Sequence, residues 1–182
     1  MKSDLKKSFR ITLAFVLLFG VGYVLILWMF AQVATCNGGR ADEELVAQKF
    51  TRSVYFWPRP SSVDYRADAS GGSNKGPNNE SYLWDIEARV DTFLFYHPYL
   101  SRDLVPAEMI TASASGLDPD ISPKSAYVQA RRVAEARSLS QKQVIEIITQ
   151  NTTKAFLCFL GPEKVNVQRL NKALDRSFPI KK

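Results

Sequence analysis

Histidine and cysteine are nearly missing from this chain, and most enzyme chemistry goes with them. Its 182 residues hold one histidine, His97, and two cysteines, Cys36 and Cys158. Two cysteines make no disulfide framework, and neither has a histidine or second cysteine at metal-ligand spacing. Cys158, inside Phe156-Leu157-Cys158-Phe159-Leu160, reads as a small buried hydrophobe. A Ser-His-Asp site built on Ser113 or Ser115 would have to recruit His97, which precedes Pro98 and reads as a turn residue. Ser115 also lacks the glycine two positions earlier that a nucleophile elbow requires. Asp118 and Asp120 are spaced like calcium-loop ligands, but Pro119 lies between them and the downstream pattern is absent. No G-x-x-x-x-G-K-[ST] or G-x-G-x-x-G turn offers a phosphate cradle. The net charge is +6, yet no Lys/Arg run is interleaved with aromatics, which argues against a nucleic-acid partner.

Charge is also missing from one long stretch. Residues 11–36 contain no Asp, Glu, Lys or Arg. At ~1.5 Å per residue they form a helix of about 39 Å, more than the ~30 Å of a bilayer's hydrocarbon core. A secretory signal has a shorter apolar region of about 7–15 residues and a small-residue cleavage site. Ala31-Gln32-Val33-Ala34 is a poor one, so a retained anchor is expected. Lys2, Lys6, Lys7 and Arg10 precede the run, whereas Arg40, Asp42, Glu43 and Glu44 follow it. The positive-inside rule then predicts a cytoplasmic basic tail (1–10), a transmembrane helix (11–36) and an extracytoplasmic domain (37–182). Membrane lipid is thereby one expected partner.

Within that domain, residues 45–57 read as a short helix leading into an extended piece. Residues 58–80 are rich in Ser, Gly, Asn, Asp and Pro. Two readings stay open for this loop: a flexible linker, or an ordered loop whose backbone N–H groups cradle something. Arg59, Tyr65 and Asn74 give it more chemistry than a linker needs. A helix over 80–95 carries Leu83, Ile86, Val90, Phe93 and Leu94 at helical spacing. A short turn at 106–110 and a small-residue loop at 111–120 follow. Ser122 then caps a helix with Pro123 at its first position. It runs to Arg137 with Ala126, Tyr127, Ala130, Val133 and Ala134 inward and Gln129, Arg131, Arg132 and Arg137 on the remainder. Ser140 to Gln143 fits a capping box. Residues 155–160 read as a buried strand, and Asn166 caps a last helix bearing Leu170, Ala173 and Leu174. The fold class is α+β, helix-dominant, anchored by one N-terminal transmembrane helix.

Specific strings carry a resemblance. They are Arg59-Pro60-Ser61; Ala69-Ser70-Gly71-Gly72-Ser73-Asn74 with Gly76-Pro77; "TASASGLDPDIS" over 111–122; Gln129 with Arg132-Val133-Ala134; and Gly161 with Val165-Asn166-Val167. Together they resemble the C subunit of the Kdp-type potassium-transporting ATPase, over residues 11–175. Two departures stand out: Asp120, where most relatives have His after Asp-Pro, and Gly161-Pro162-Glu163-Lys164, where they often have Gly-Glu-Pro-Arg.

The resemblance implies an accessory subunit. Its partners would be a channel-like potassium-translocating subunit and a P-type ATPase subunit. It would support their assembly and act as a catalytic chaperone that raises the ATPase subunit's affinity for ATP. It also makes Gln129 a candidate nucleotide contact, and Arg59, Ser70, Gly71, Gly72, Asn74, Ser115, Gly116, Asp118, Arg132 and Asn166 interaction candidates. The chain lacks Asp-Lys-Thr-Gly, so it is not the ATP-hydrolysing subunit. Charge flanking places Gln129 outside, while ATP is inside. The topology and a direct ATP contact conflict, and an effect on ATP affinity would then be allosteric. The alternative to a pump subunit is a membrane-anchored extracytoplasmic binding or sensor module built on the Ser70 to Asn74 loop.

Overall fold

A computed structural model describes residues 2–36, 45–155 and 161–180. The chain divides into two compact units, Met1–Asp42 and Glu43–Lys182.

The first unit is one helix: α1 (Lys2–Phe15), a π-helical segment (Val16–Gly22) and α2 (Tyr23–Cys36). Phe15 and Tyr23, which flank the π segment, keep right-handed helical backbones, so the helix runs through. Gly20 and Gly22 fall inside the π segment, where glycine's backbone freedom tolerates the wider turn. The stretch Ser3–Gln32, 30 residues, is long and apolar enough to cross a membrane, and none of its most apolar window is buried. The basic tail is part of this helix, because Lys, Ser, Leu and Phe continue the ladder with no breaker before Ile11.

Among the described residues, the second unit packs four α-helices around a small antiparallel sheet. The helices are α3 (Glu80–Tyr96), α4 (Pro123–Arg137), α5 (Gln141–Gln150) and α6 (Val167–Ser177). Two 3-10 turns, Arg102–Leu104 and Ala107–Met109, lie between α3 and α4. The strands are β1 (Asp120–Ile121), β2 (Thr152–Thr153) and β3 (Lys164–Asn166), in the order β1-β3-β2. Register pairs Ile121 with Val165 on one side and Thr152 with Val165 on the other. The core joins Ala126, Ala130 and Val133 of α4, Val144 and Ile148 of α5, and Leu170 and Leu174 of α6 to Phe56, Phe93 and Ile121.

Helix starts follow their caps. The Ser122 side chain accepts from Ser125 N with Pro123 following it, and Ser140 and Gln143 form the reciprocal capping box. Asn166 leaves β3 and caps α6 by accepting from the N–H groups of Gln168 and Arg169. Asn166→Ala orphans both donors, and the expected loss is about 1 kcal/mol in urea denaturation of the full chain in mild detergent. An unchanged midpoint would show that water replaces the cap without cost.

Several expectations need correction. No α-helix forms over residues 45–57, because Gln, Asn and Arg side chains take up the backbone groups a helix would pair internally. Tyr127 is 41% exposed, and Leu83 is 50% exposed although it continues the α3 stripe. Only the C-terminal half of α3 reaches the core, through Val90 and Phe93. Gln129 and Arg132 are buried, not on the outer face. His97 is no simple turn residue: it ends α3 and is fully enclosed. The strand expected at 155–160, with Cys158, falls mostly on 156–160, outside the described residues.

Candidate functional site

Residues 45–57 lie across α4 and α6 as an irregular strap. Buried backbone polar groups need partners, and here side chains supply them. Asn171 Oδ1 accepts from Phe56 N at 2.9 Å while its Nδ2 donates to Phe56 O at 3.0 Å. Gln129 makes the same two-way contact one residue on: Oε1 accepts from Trp57 N at 2.8 Å, and Nε2 donates to Trp57 O at 3.2 Å. Two carboxamides thus imitate a β-ladder. Arg137 Nε donates to Val54 O at 2.7 Å, and its NH2 group meets Asp175 at 2.7 Å. Gln168 Nε2 donates to Val46 O.

Arg132 is the centre of this clamp. It is 5% exposed and meets no carboxylate among the described residues. Its NH1 group donates to Ser53 O at 2.6 Å and Tyr55 O at 3.0 Å. Its NH2 group donates to Gln129 Oε1 at 2.8 Å, and its Nε to His97 Nε2 at 3.0 Å. The guanidinium carbon lies 4.2 Å from the Trp57 ring centroid, a cation–π contact. Burial lowers its pKa to about 10, so it stays charged at neutral pH. Because His97 Nε2 accepts, its proton sits on Nδ1 and is donated to Phe93 O at 2.7 Å. Desolvation, outweighing the Phe93 hydrogen bond and joined by the Arg132 charge, depresses the His97 pKa to about 4.

The loops at 58–76 and 111–118 form a second constellation beside the strap. Gly71 N donates to Ser115 O at 2.9 Å, Ser113 N to Pro60 O at 3.0 Å, and Ser70 Oγ to Ser115 O at 3.1 Å. Arg59 NH1 meets Asp118 at 3.2 Å. Ser61 Oγ accepts from Val63 N and Tyr65 N, which holds Asp64 and Tyr65 at positive φ. Tyr65 donates to Arg59 O at 2.8 Å, and burial followed by the Asp64 charge pushes its pKa up to about 12. The open question over 58–80 therefore resolves toward an ordered loop, whose backbone groups face the second loop.

Gly116 is the close point of this pairing. At φ +70°, a Cβ there would collide with Val63 Cγ2 and sit 3.0 Å from Gly71 O. Gly116→Ala should cost about 3 kcal/mol from the left-handed backbone and the forced separation. Urea denaturation of the full chain would test it, and a loss below about 1 kcal/mol would show that the loops slide apart freely.

Of the candidate residues, Arg59, Ser70, Gly71, Gly72, Ser115, Gly116 and Asp118 come together in the loop pair. Asn74 lies on the same loop, exposed and at positive φ. Gln129 and Arg132 belong to the clamp, and Asn166 to the α6 cap. The two departures from the family pattern, Asp120 and Lys164, meet each other across β1 and β3 at 2.6 Å. Gln129 is 0% exposed, and its amide is occupied by Trp57, Arg132 and Ser125 O. This conformation leaves it no atom to offer a nucleotide. Both nitrogens of His97 are likewise engaged, and the Ser115 hydroxyl accepts from Leu117 N, so no serine–histidine pair is assembled.

Gln168, Asn171 and Glu108 escaped the sequence reading, which gives His97 a turn role and not that of a buried acceptor. Glu108 accepts from Ser122 N at 3.0 Å and from the Ser122 and Ser125 hydroxyls at the start of α4. A signal for two of the clamp residues existed. Gln129 sits in the Ala126, Ala130, Val133 stripe, and Asn171 in the Val167, Leu170, Leu174 stripe, each at core spacing.

An open cleft of 560 Å³ separates the strap from α3, lined by Phe50, Trp57, Pro58, Tyr65, Arg89 and Tyr96 among others.

Residues 5–176 match the family described as "K+-transporting ATPase, c chain". Similar proteins include the "Potassium-transporting ATPase KdpC subunit" of Bacteroides thetaiotaomicron, 54% identical over 94% of this chain and 97% of that protein. Proteins of the same description come from Flavobacterium johnsoniae, at 42% identity over 92% of this chain and 94% of the relative, and from Caldanaerobacter subterraneus, at 35% over 96% and 95%.

Proposed function

The chain belongs to the C-chain family of potassium-transporting ATPases, an accessory subunit of potassium uptake, and from that premise we propose that it assembles and tunes the pump from the outer side of the membrane. The helix over Ser3–Gln32 anchors it with the basic end in the cytoplasm. The domain of 45–180 then lies outside, over a channel-like potassium-translocating subunit, and the P-type ATPase subunit completes the complex. One observation carries the choice of surface: family-pattern residues with no task in the apolar core converge on one ordered loop pair, with Ser70, Asn74 and Ser115 exposed on it.

The spent amide of Gln129 supports an indirect effect on nucleotide. The chaperone action on ATP affinity then operates through the ATPase subunit, with this chain favouring one pump state by contacting it better. The 560 Å³ cleft favours a second reading, an anchored binding module, but at a place other than the Ser70 to Asn74 loop, none of whose residues line it.

Purification of the tagged chain from its native membrane in mild detergent tests the first reading. Stoichiometric recovery of a P-type ATPase subunit and a channel-like subunit is expected, with Ala114→Arg, on the exposed loop surface, weakening it. Recovery of the chain alone where the pump is expressed and intact would sink the reading.

A further inference from the structure

We propose that the N-terminal turns of α1 are a docking surface for the phosphates of anionic phospholipid headgroups. The inference rests on the membrane-spanning reading of this helix and is independent of which leaflet receives its N-terminus. The helix is unbroken through this stretch, so Lys6 and Arg10 fall four residues apart on one face, with Lys7 adjoining it. The uncharged run of residues 11–36 amounts to about 39 Å of helix, longer than a hydrocarbon core of about 30 Å, so its ends reach into the headgroup layers. Arg10 therefore lies at headgroup depth, with Lys6 and Lys7 one turn farther out at the headgroup surface.

Their flanks suit the same place. Leu5 and Phe9 are 73% and 68% exposed on α1, beside the cations. Apolar side chains at that depth pack among acyl chains while Lys and Arg reach outward along their aliphatic stems. Asp4 is the only acid in the first ten residues, and Ser3 Oγ donates to it at 3.4 Å. Past the other end, Arg40, Asp42, Glu43 and Glu44 reverse the sign of the charge. Charge complementarity to phosphate is thus confined to the N-terminal end.

The test uses the full chain in mild detergent and a headgroup-labelled phosphatidylglycerol, with labelled phosphatidylcholine as the neutral control. The chain is expected to prefer phosphatidylglycerol, and K6Q/K7Q/R10Q to lower that affinity about 100-fold, near five-fold per cation. Removing the same charge from exposed positions of the other unit, K124Q/K142Q/K154Q, is expected to leave it unchanged. Equal affinity for the two lipids, or equal effects of the two triple variants, would overturn the proposal. So would a K6Q/K7Q/R10Q chain that keeps its phosphatidylglycerol preference but loses partner subunits, which would assign the cations to an acidic protein surface. Failure of the pump reading shows separately, as recovery of the chain without other subunits.

Discussion

Arg132→Ala is expected to cost the domain roughly 4 kcal/mol, the largest loss of any single truncation in the clamp. The substitution removes the donors to Ser53 O, Tyr55 O and His97 Nε2 together. Each buried acceptor left unmatched costs about 1–3 kcal/mol, and water entering the vacated space offsets part of the sum. The buried cation itself carries a desolvation cost, visible in its lowered pKa. That cost is offset by donors arranged in a fork, so Arg132→Lys should also lose most of the stability. An ammonium cannot reach two backbone carbonyls, an imidazole and a carboxamide from one planar group. Urea denaturation of the full chain in mild detergent measures both variants. A loss below about 1 kcal/mol for Arg132→Ala would show that the strap is held without the clamp. Because residues 45–57 have no helix or ladder to fall back on, hydrogen exchange should rise first at their amides.

Acidification is expected to remove about 3 kcal/mol of stability between pH 6.5 and pH 4 through His97 alone. Its folded pKa is about 4 against an ordinary value of 6.5. Above 6.5 both the folded and unfolded states hold it neutral, and its contribution is complete. As pH falls through that value the unfolded chain takes up a proton that the folded chain refuses. Stability is then lost steadily until the folded His97 also titrates near 4. The physical cause is local: a proton on Nε2 would face the Arg132 Nε–H at 3.0 Å, inside a shell of Phe93, Trp57 and Tyr99 rings. His97→Gln keeps one acceptor and one donor and has no such titration. The difference between wild type and this variant therefore isolates the effect from carboxylate titration. A difference that stays flat from pH 7 to pH 4.5 would refute it.

Local rules carried much of the reading. Ser122, Ser140 and Asn166 announce three helix starts through side-chain acceptors followed by helix formers, and all three caps are made. The inward positions Ala126, Ala130, Val133, Val144, Ile148, Leu170 and Leu174 follow from spacing alone. Gln129 and Arg132 failed for the reason that hid Asn171: all three are polar, and polarity at a helical position normally means solvent. Here these side chains turn inward because a strap with unpaired backbone lies over them. Nothing in residues 45–57 shows locally that distant α4 and α6 will complete their hydrogen bonds. Leu83 failed the opposite way: its spacing fits the α3 stripe, but among the described residues no element covers that end of the helix closely enough to bury it.

By itself the sequence determined a stretch long and apolar enough to cross a membrane, the helix-dominant class and the family, because each depends on runs or strings that neighbouring residues complete among themselves. Hydrocarbon length, capping and core periodicity are local quantities. Only the tertiary structure decided that the 58–76 loop is ordered, that the lone histidine is a buried acceptor, and that Gln129 binds the protein's own backbone. Those outcomes depend on pairs such as Gly71 with Ser115, His97 with Arg132, and Trp57 with Gln129, separated by tens of residues in the chain. A side chain's protonation and accessibility are set by what folds against it.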